Sequence, residues 1–77
     1  MSEKFTFVWW RDGASEAEIH TWNKLKDSSS IEDIDFIELQ TKKDYEKTCT
    51  ELKQVGWKLV SSGSGSMARI TSFKRME

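Results

Sequence analysis

The sequence predicts an α+β domain: a single small sheet of about four strands with two helices, in the order β-α-β-α-β-β. Three observations carry that reading. An aromatic and β-branched run, Phe5-Thr6-Phe7-Val8-Trp9-Trp10, opens the chain with the composition of a strand. A long amphipathic stretch follows mid-chain, with a capping threonine at Thr41 and a glycine stop at Gly56. Two further apolar runs around a Ser/Gly-rich connector close the sequence, as a terminal hairpin would. At 77 residues and 9.0 kDa there is room for one core, so a single domain is expected across residues 1–77.

The first strand is expected from Lys4 to Arg11. Asp12-Gly13 breaks it, and Ser15 with Glu18 three residues on forms a capping box, in which hydroxyl and carboxylate each satisfy an orphan amide. Ile19, Trp22 and Leu25 recur on one helical face, predicting a short helix from about Ser15 to Lys26. Asp27-Ser28-Ser29-Ser30 is a polar connector to a second strand, Ile34 to Leu39. Its apolar side chains point both ways, Ile34 and Phe36 to one face, Ile37 and Leu39 to the other, which is the pattern of a strand covered on both sides. Thr41 with Asp44 opens the second helix. Its apolar stripe is Tyr45, Cys49, Leu52 and Val55, and Gly56 stands where a left-handed residue ends it. Trp57 to Val60 and Met67 to Phe73 are the expected final strands. Ser61-Ser62-Gly63-Ser64-Gly65-Ser66 joins them as a flexible loop that also has the composition of an expression linker.

From Leu52 to Arg75 the chain resembles a family of short, uncharacterised bacterial and phage proteins. Their C-terminal halves run from a helix through Leu-x-x-x-Gly-Trp-x-Leu-Val-Ser and a Gly/Ser-rich turn to a strand ending in Phe-Lys-Arg. Leu52-Lys53-Gln54-Val55-Gly56-Trp57-Lys58-Leu59-Val60-Ser61 matches the first block and Phe73-Lys74-Arg75 the last. The opening strand matches in character, and residues 12 to 40 have no counterpart. The resemblance covers about half the chain. It implies a sheet with one packed helix and transfers no activity, since the family has no assigned chemistry. The motif also has a structural reason: the glycine stops the helix and the tryptophan begins the next strand.

Composition narrows function mainly by exclusion. Twelve basic and thirteen acidic residues give a net charge of −1, which argues against an acidic DNA mimic and against a generally basic nucleic-acid binder. A single cysteine cannot build an internal disulfide framework and fits a reducing, cytoplasmic setting. No apolar run approaches the roughly 18 residues of a membrane span, and the N-terminus lacks a signal-peptide apolar core, so no membrane association is expected. One histidine and one cysteine fall short of a metal site, and no cofactor is implied. His20 has no nucleophile or orienting carboxylate at a readable spacing, and Cys49 reads as a small core residue. Gly63-Ser64-Gly65 joins two strands, whereas a phosphate loop or a hydrolase elbow joins strand to helix. Glu32, Asp33, Asp35 and Glu38 lack the glycine-bearing loop of an EF-hand and read as a solvated acidic surface. The chain is therefore expected not to be an enzyme.

Two features point to binding. Residues 31 to 38 carry four acids and no base, while residues 58 to 75 carry Lys58, Arg69, Lys74 and Arg75 with no acid, so the domain is electrically polarised. Alternation puts Phe5, Phe7 and Trp9 on one face of the first strand, and Val8 and Trp10 on the other. On the terminal strands, Trp57, Leu59, Ala68 and Ile70 are expected under the long helix. Lys58, Val60, Arg69, Thr71 and Phe73 are then expected opposite, on the face bearing Trp10. If the strand order keeps advancing, both helices share one side and that face is open. If the order reverses after the second strand, the helices fall on opposite sides, and Ile19, Trp22 and Leu25 cover it.

The expected function is a non-enzymatic protein-interaction module, a small regulator or inhibitor, binding a protein partner through Trp10, Lys58, Arg69, Phe73 and Arg75. Free sheet edges would also let two copies pair as a homodimer. The alternative is a single-stranded nucleic-acid binder, with bases stacked on Trp10 and Phe73 and phosphates met by Lys58, Arg69 and Arg75.

Overall fold

The computed structural model describes residues 3–28, 34–63 and 69–76. Six elements follow in the expected order: β1 (Glu3–Trp10), α1 (Glu16–Ser28), β2 (Ile34–Leu39), α2 (Lys42–Gln54), β3 (Lys58–Ser62) and β4 (Thr71–Met76). They form one mixed four-stranded sheet, order β2-β1-β4-β3, with two helices. β1 and β2 are parallel, while β4 runs antiparallel to both β1 and β3. None of the described helices is long and apolar enough to cross a membrane.

Local chemistry sets the helix ends where the sequence places them. The Ser15 amide donates to Glu18 Oε1 at 3.1 Å and the Glu18 amide donates to Ser15 Oγ at 3.2 Å, closing the capping box of α1. Thr41, in extended backbone at φ −111°, accepts the Asp44 amide on its hydroxyl at 3.1 Å. At the far end of α2, the Trp57 amide reaches the Leu52 carbonyl and the Gly56 amide the Lys53 carbonyl, at 3.0 and 3.3 Å. These two bonds make a Schellman motif, and Gly56 supplies its left-handed residue at φ +102°.

The strand order decides which face each helix covers. β1-α1-β2 steps outward to one edge, and β2-α2-β3 returns across the sheet to the other, so two right-handed crossovers put the helices on opposite faces. On the α1 face Trp9, Trp22 and Ile70 are buried together, flanked by Phe7, Ala14, Ile19, Leu25 and Phe36. The Trp9 and Trp22 rings stack at 5.4 Å, and Phe36 meets Trp22 edge-on at 5.6 Å. The Trp22 indole N–H donates to Glu38 Oε1 at 3.0 Å, so a member of the acidic run serves the core. On the α2 face Tyr45 packs on Trp10 with ring centroids 4.6 Å apart, and its hydroxyl bonds Thr71 Oγ1. Both faces of β2 are covered as its pattern predicts, and Ile34, Phe36, Ile37 and Leu39 are all half-buried.

The two terminal strands differ from expectation. β4 begins at Thr71, so its pairing with β1 sets Thr6 against Phe73 and Val8 against Thr71, and Lys74 and Arg75 fall inside the strand. Leu59 pairs with Phe73 and Ser62 with Thr71, and all four lie on the α2 face with Trp10. The expectation that Phe73 and Thr71 lie opposite the long helix is therefore corrected. The Trp10 face is covered by α2, and Ile19, Trp22 and Leu25 cover the Trp9 face instead. Two further expectations are corrected: Ile70, expected under the long helix, joins the α1 cluster, and Lys58, expected on the Trp10 face, sits opposite Lys74, which pairs with Phe5 on the other face. A bulge between Leu59 and Ser61 accommodates Val60 as an extra residue. Ala68 and most of the Ser/Gly connector lie outside the described residues, as do Glu32 and Asp33.

Candidate functional site

The five sequence-chosen binding residues occupy three places. Phe73 is fully buried, between Thr6 of β1 and Leu59 of β3 in the sheet, and belongs to the core. Trp10 and Arg69 meet at one end of the sheet. Lys58 and Arg75 meet at the other.

Arg69, just ahead of β4, is an internal clamp. Its Nε donates to Glu18 Oε2 at 3.0 Å, and its Nη1 donates to the backbone carbonyls of Trp10 at 3.2 Å and Asp12 at 2.7 Å. The guanidinium lies over the Trp10 ring at 4.5 Å. One Glu18 oxygen closes the capping box and the other holds Arg69, so the β1–α1 turn is tied to the start of β4. The amide and hydroxyl of Ser15, with Arg69, hold the Glu18 carboxyl below the usual carboxylate range. Gly13 completes the turn at φ +77°, and a β-carbon there would come within 3.1 Å of Arg69 Nη2. Only 15% of the Arg69 side chain is exposed, because its donors are spent on the fold. Trp10 is wedged between this guanidinium and Tyr45, with Lys42 Nζ 5.9 Å from the ring.

At the other end of the sheet several described side chains are exposed. The exposed large apolar side chains among the described residues are Val55, Leu59, Val60 and Met76, at 63%, 50%, 50% and 52% exposure. All four lie at the end of α2, along β3 or at the end of β4. Every residue of β3 is exposed, and among the described strands it lies at an edge of the sheet and pairs only with β4. A groove of about 530 Å³ lies at the Lys58 end of this strand, lined by Val55, Gly56, Lys58, Lys74, Arg75 and Met76. Among the described residues its lining carries three cations and no carboxylate, and Lys74 reaches Glu3 only at 4.0 Å.

Around the corner, under α2, a cleft of about 260 Å³ is lined by Tyr45, Cys49, Leu59, Thr71 and Phe73 among others. Burial pushes the Cys49 thiol above its ordinary pKa, which leaves it a poor nucleophile. Burial likewise raises Tyr45.

Val55, Leu59, Val60, Lys74 and Met76 were not singled out by sequence reasoning as binding residues. Val55 reads as the last member of the α2 stripe, yet it is the C-cap residue, past the point where the helix still lies on the sheet. The available signal was the polar pair Ser61-Ser62 ending β3, a composition that suits an edge better than a centre. No protein-family model, curated protein or solved structure matches the chain.

Proposed function

We propose that the chain is a small non-enzymatic protein-interaction module, a cytoplasmic regulator or inhibitor whose C-terminal half resembles short bacterial and phage proteins. One observation carries the reading: the exposed large apolar residues among those described converge on the α2 end and the β3 edge, beside three cations. Apolar anchors rimmed by charge are how a small protein surface binds another. The nucleic-acid reading loses its platform, because Phe73 is buried and Trp10 is half-buried, with Tyr45 and the Arg69 guanidinium packed against its ring. The test is affinity capture from lysate with and without nuclease, using the wild type beside Val55→Asp and Val60→Asp. Both positions are exposed, so the variants are expected to melt like the wild type. A partner retained after nuclease and lost with either variant supports the reading. Capture abolished by nuclease, or unaffected by both variants, overturns it.

A further inference from the structure

We propose that the occupant of this strip is an extended acidic segment of a partner protein, added to the sheet as a strand alongside β3; the inference rests on the interaction reading above. An edge strand presents backbone N–H and C=O groups on its open side, and an extended peptide satisfies them by continuing the ladder. Main-chain pairing gives such a complex its register, and side-chain complementarity gives it selectivity. Here the complementary charge is negative. Lys58 lies on β3 itself, and Lys74 and Arg75 lie on the strand behind it, all three on the same groove. Val55 and Met76 in that groove, with Val60 on the edge, offer contacts to apolar residues alternating with the acids.

Other occupants answer only part of this surface. A second copy pairing antiparallel about Val60 would set Lys58 against Ser62 of its mate and bring no carboxylate to the groove. A polynucleotide or an anionic lipid surface would neutralise the cations and leave the edge amides unpaired.

The experiment uses the full chain and a blocked peptide of about eight residues alternating glutamate with valine. Comparators are the same peptide with lysine for glutamate, one with a central proline, an oligothymidylate, and phosphatidylglycerol vesicles. The acidic peptide is expected to bind about tenfold or more tightly than the lysine peptide and to slow amide exchange along β3. The proline peptide is expected to bind weakly, and Lys58→Glu with Arg75→Glu is expected to reverse the charge preference without moving the melt, since both side chains are exposed. Acidic-peptide binding without protection of β3 amides would overturn the proposal. So would binding confined to oligothymidylate or vesicles, or an ultracentrifuge dimer that is lost in Val60→Asp and that the peptide does not displace. A partner captured through Val55 and Val60 alongside failure of every acidic peptide would refute the strand and leave the interaction module standing.

Discussion

Replacing Trp10 with alanine separates a structural aromatic from a binding anchor, because the α2 face beneath it is closed. Truncating a fully buried aromatic costs about 3–5 kcal/mol. Trp10 is half-buried, which brings that transfer and cavity cost to roughly 1.5–2.5 kcal/mol. Loss of the ring pair with Tyr45 at 4.6 Å adds about 0.5–1 kcal/mol. Loss of the Arg69 guanidinium stacked at 4.5 Å adds about as much again. These contributions overlap, so the expected total is about 2–4 kcal/mol, which in a domain this small lowers the melting temperature by roughly 10–25 °C. Urea unfolding followed by far-UV circular dichroism measures the loss, and Trp10→Phe, which keeps a ring against Tyr45, should recover part of it. A Trp10→Ala midpoint within about 0.5 kcal/mol of wild type would refute the reasoning, because Tyr45 and Arg69 could not then be using the indole as their floor.

Three further outcomes follow from the same packing. Gly56→Val should destabilise by about 1–2 kcal/mol in urea titrations, and wholly through the backbone, since φ is +102° while a β-carbon there meets nothing within 4 Å. Leu52→Ala should cost about 1–2 kcal/mol in the same assay, below a full core truncation because Leu52 is half-buried. Glu18→Gln keeps a capping amide but removes the charge that Ser15 and Arg69 stabilise. The carboxyl's native pKa is depressed, so its contribution is present above its unfolded pKa and lost as pH falls through the native value. Paired melts should therefore show the variant weaker at neutral pH and level with wild type in acid.

Local elements were legible because their causes are local. A hydroxyl three residues before a carboxylate, where the chain enters a helix, caps it locally, and Ser15–Glu18 and Thr41–Asp44 both do so here. Gly56 was readable for the same reason, since the Schellman geometry is decided within six residues. The β4 boundary was harder. Ile70 and Phe73 are both apolar and both buried, but Ile70 precedes the strand and serves the α1 cluster, while Phe73 lies in the strand and serves the α2 face. Periodicity alone merges two such neighbours into one run.

The site was less legible than the fold because it depends on the strand order, a non-local property. Alternation correctly grouped Trp10, Thr71 and Phe73 on one face, but the face a group occupies says nothing about which helix covers it. Reversal of the order after β2 sends α2 back across the whole sheet, so its first turns cover Trp10 and its last residue, Gln54, arrives beside β3, the outermost described strand on that side. That single feature converts Trp10 and Arg69 from surface to clamp and leaves Val55, Val60 and Met76 uncovered. The basic run was read from sequence as one hairpin surface, and the reversal divides it. Arg69 is consumed by Glu18 and the β1–α1 turn, whereas Lys58, Lys74 and Arg75 remain together at the opposite end of the sheet. Charge that is neutralised within the fold serves stability, and charge gathered beside an unpaired edge is what a partner can use.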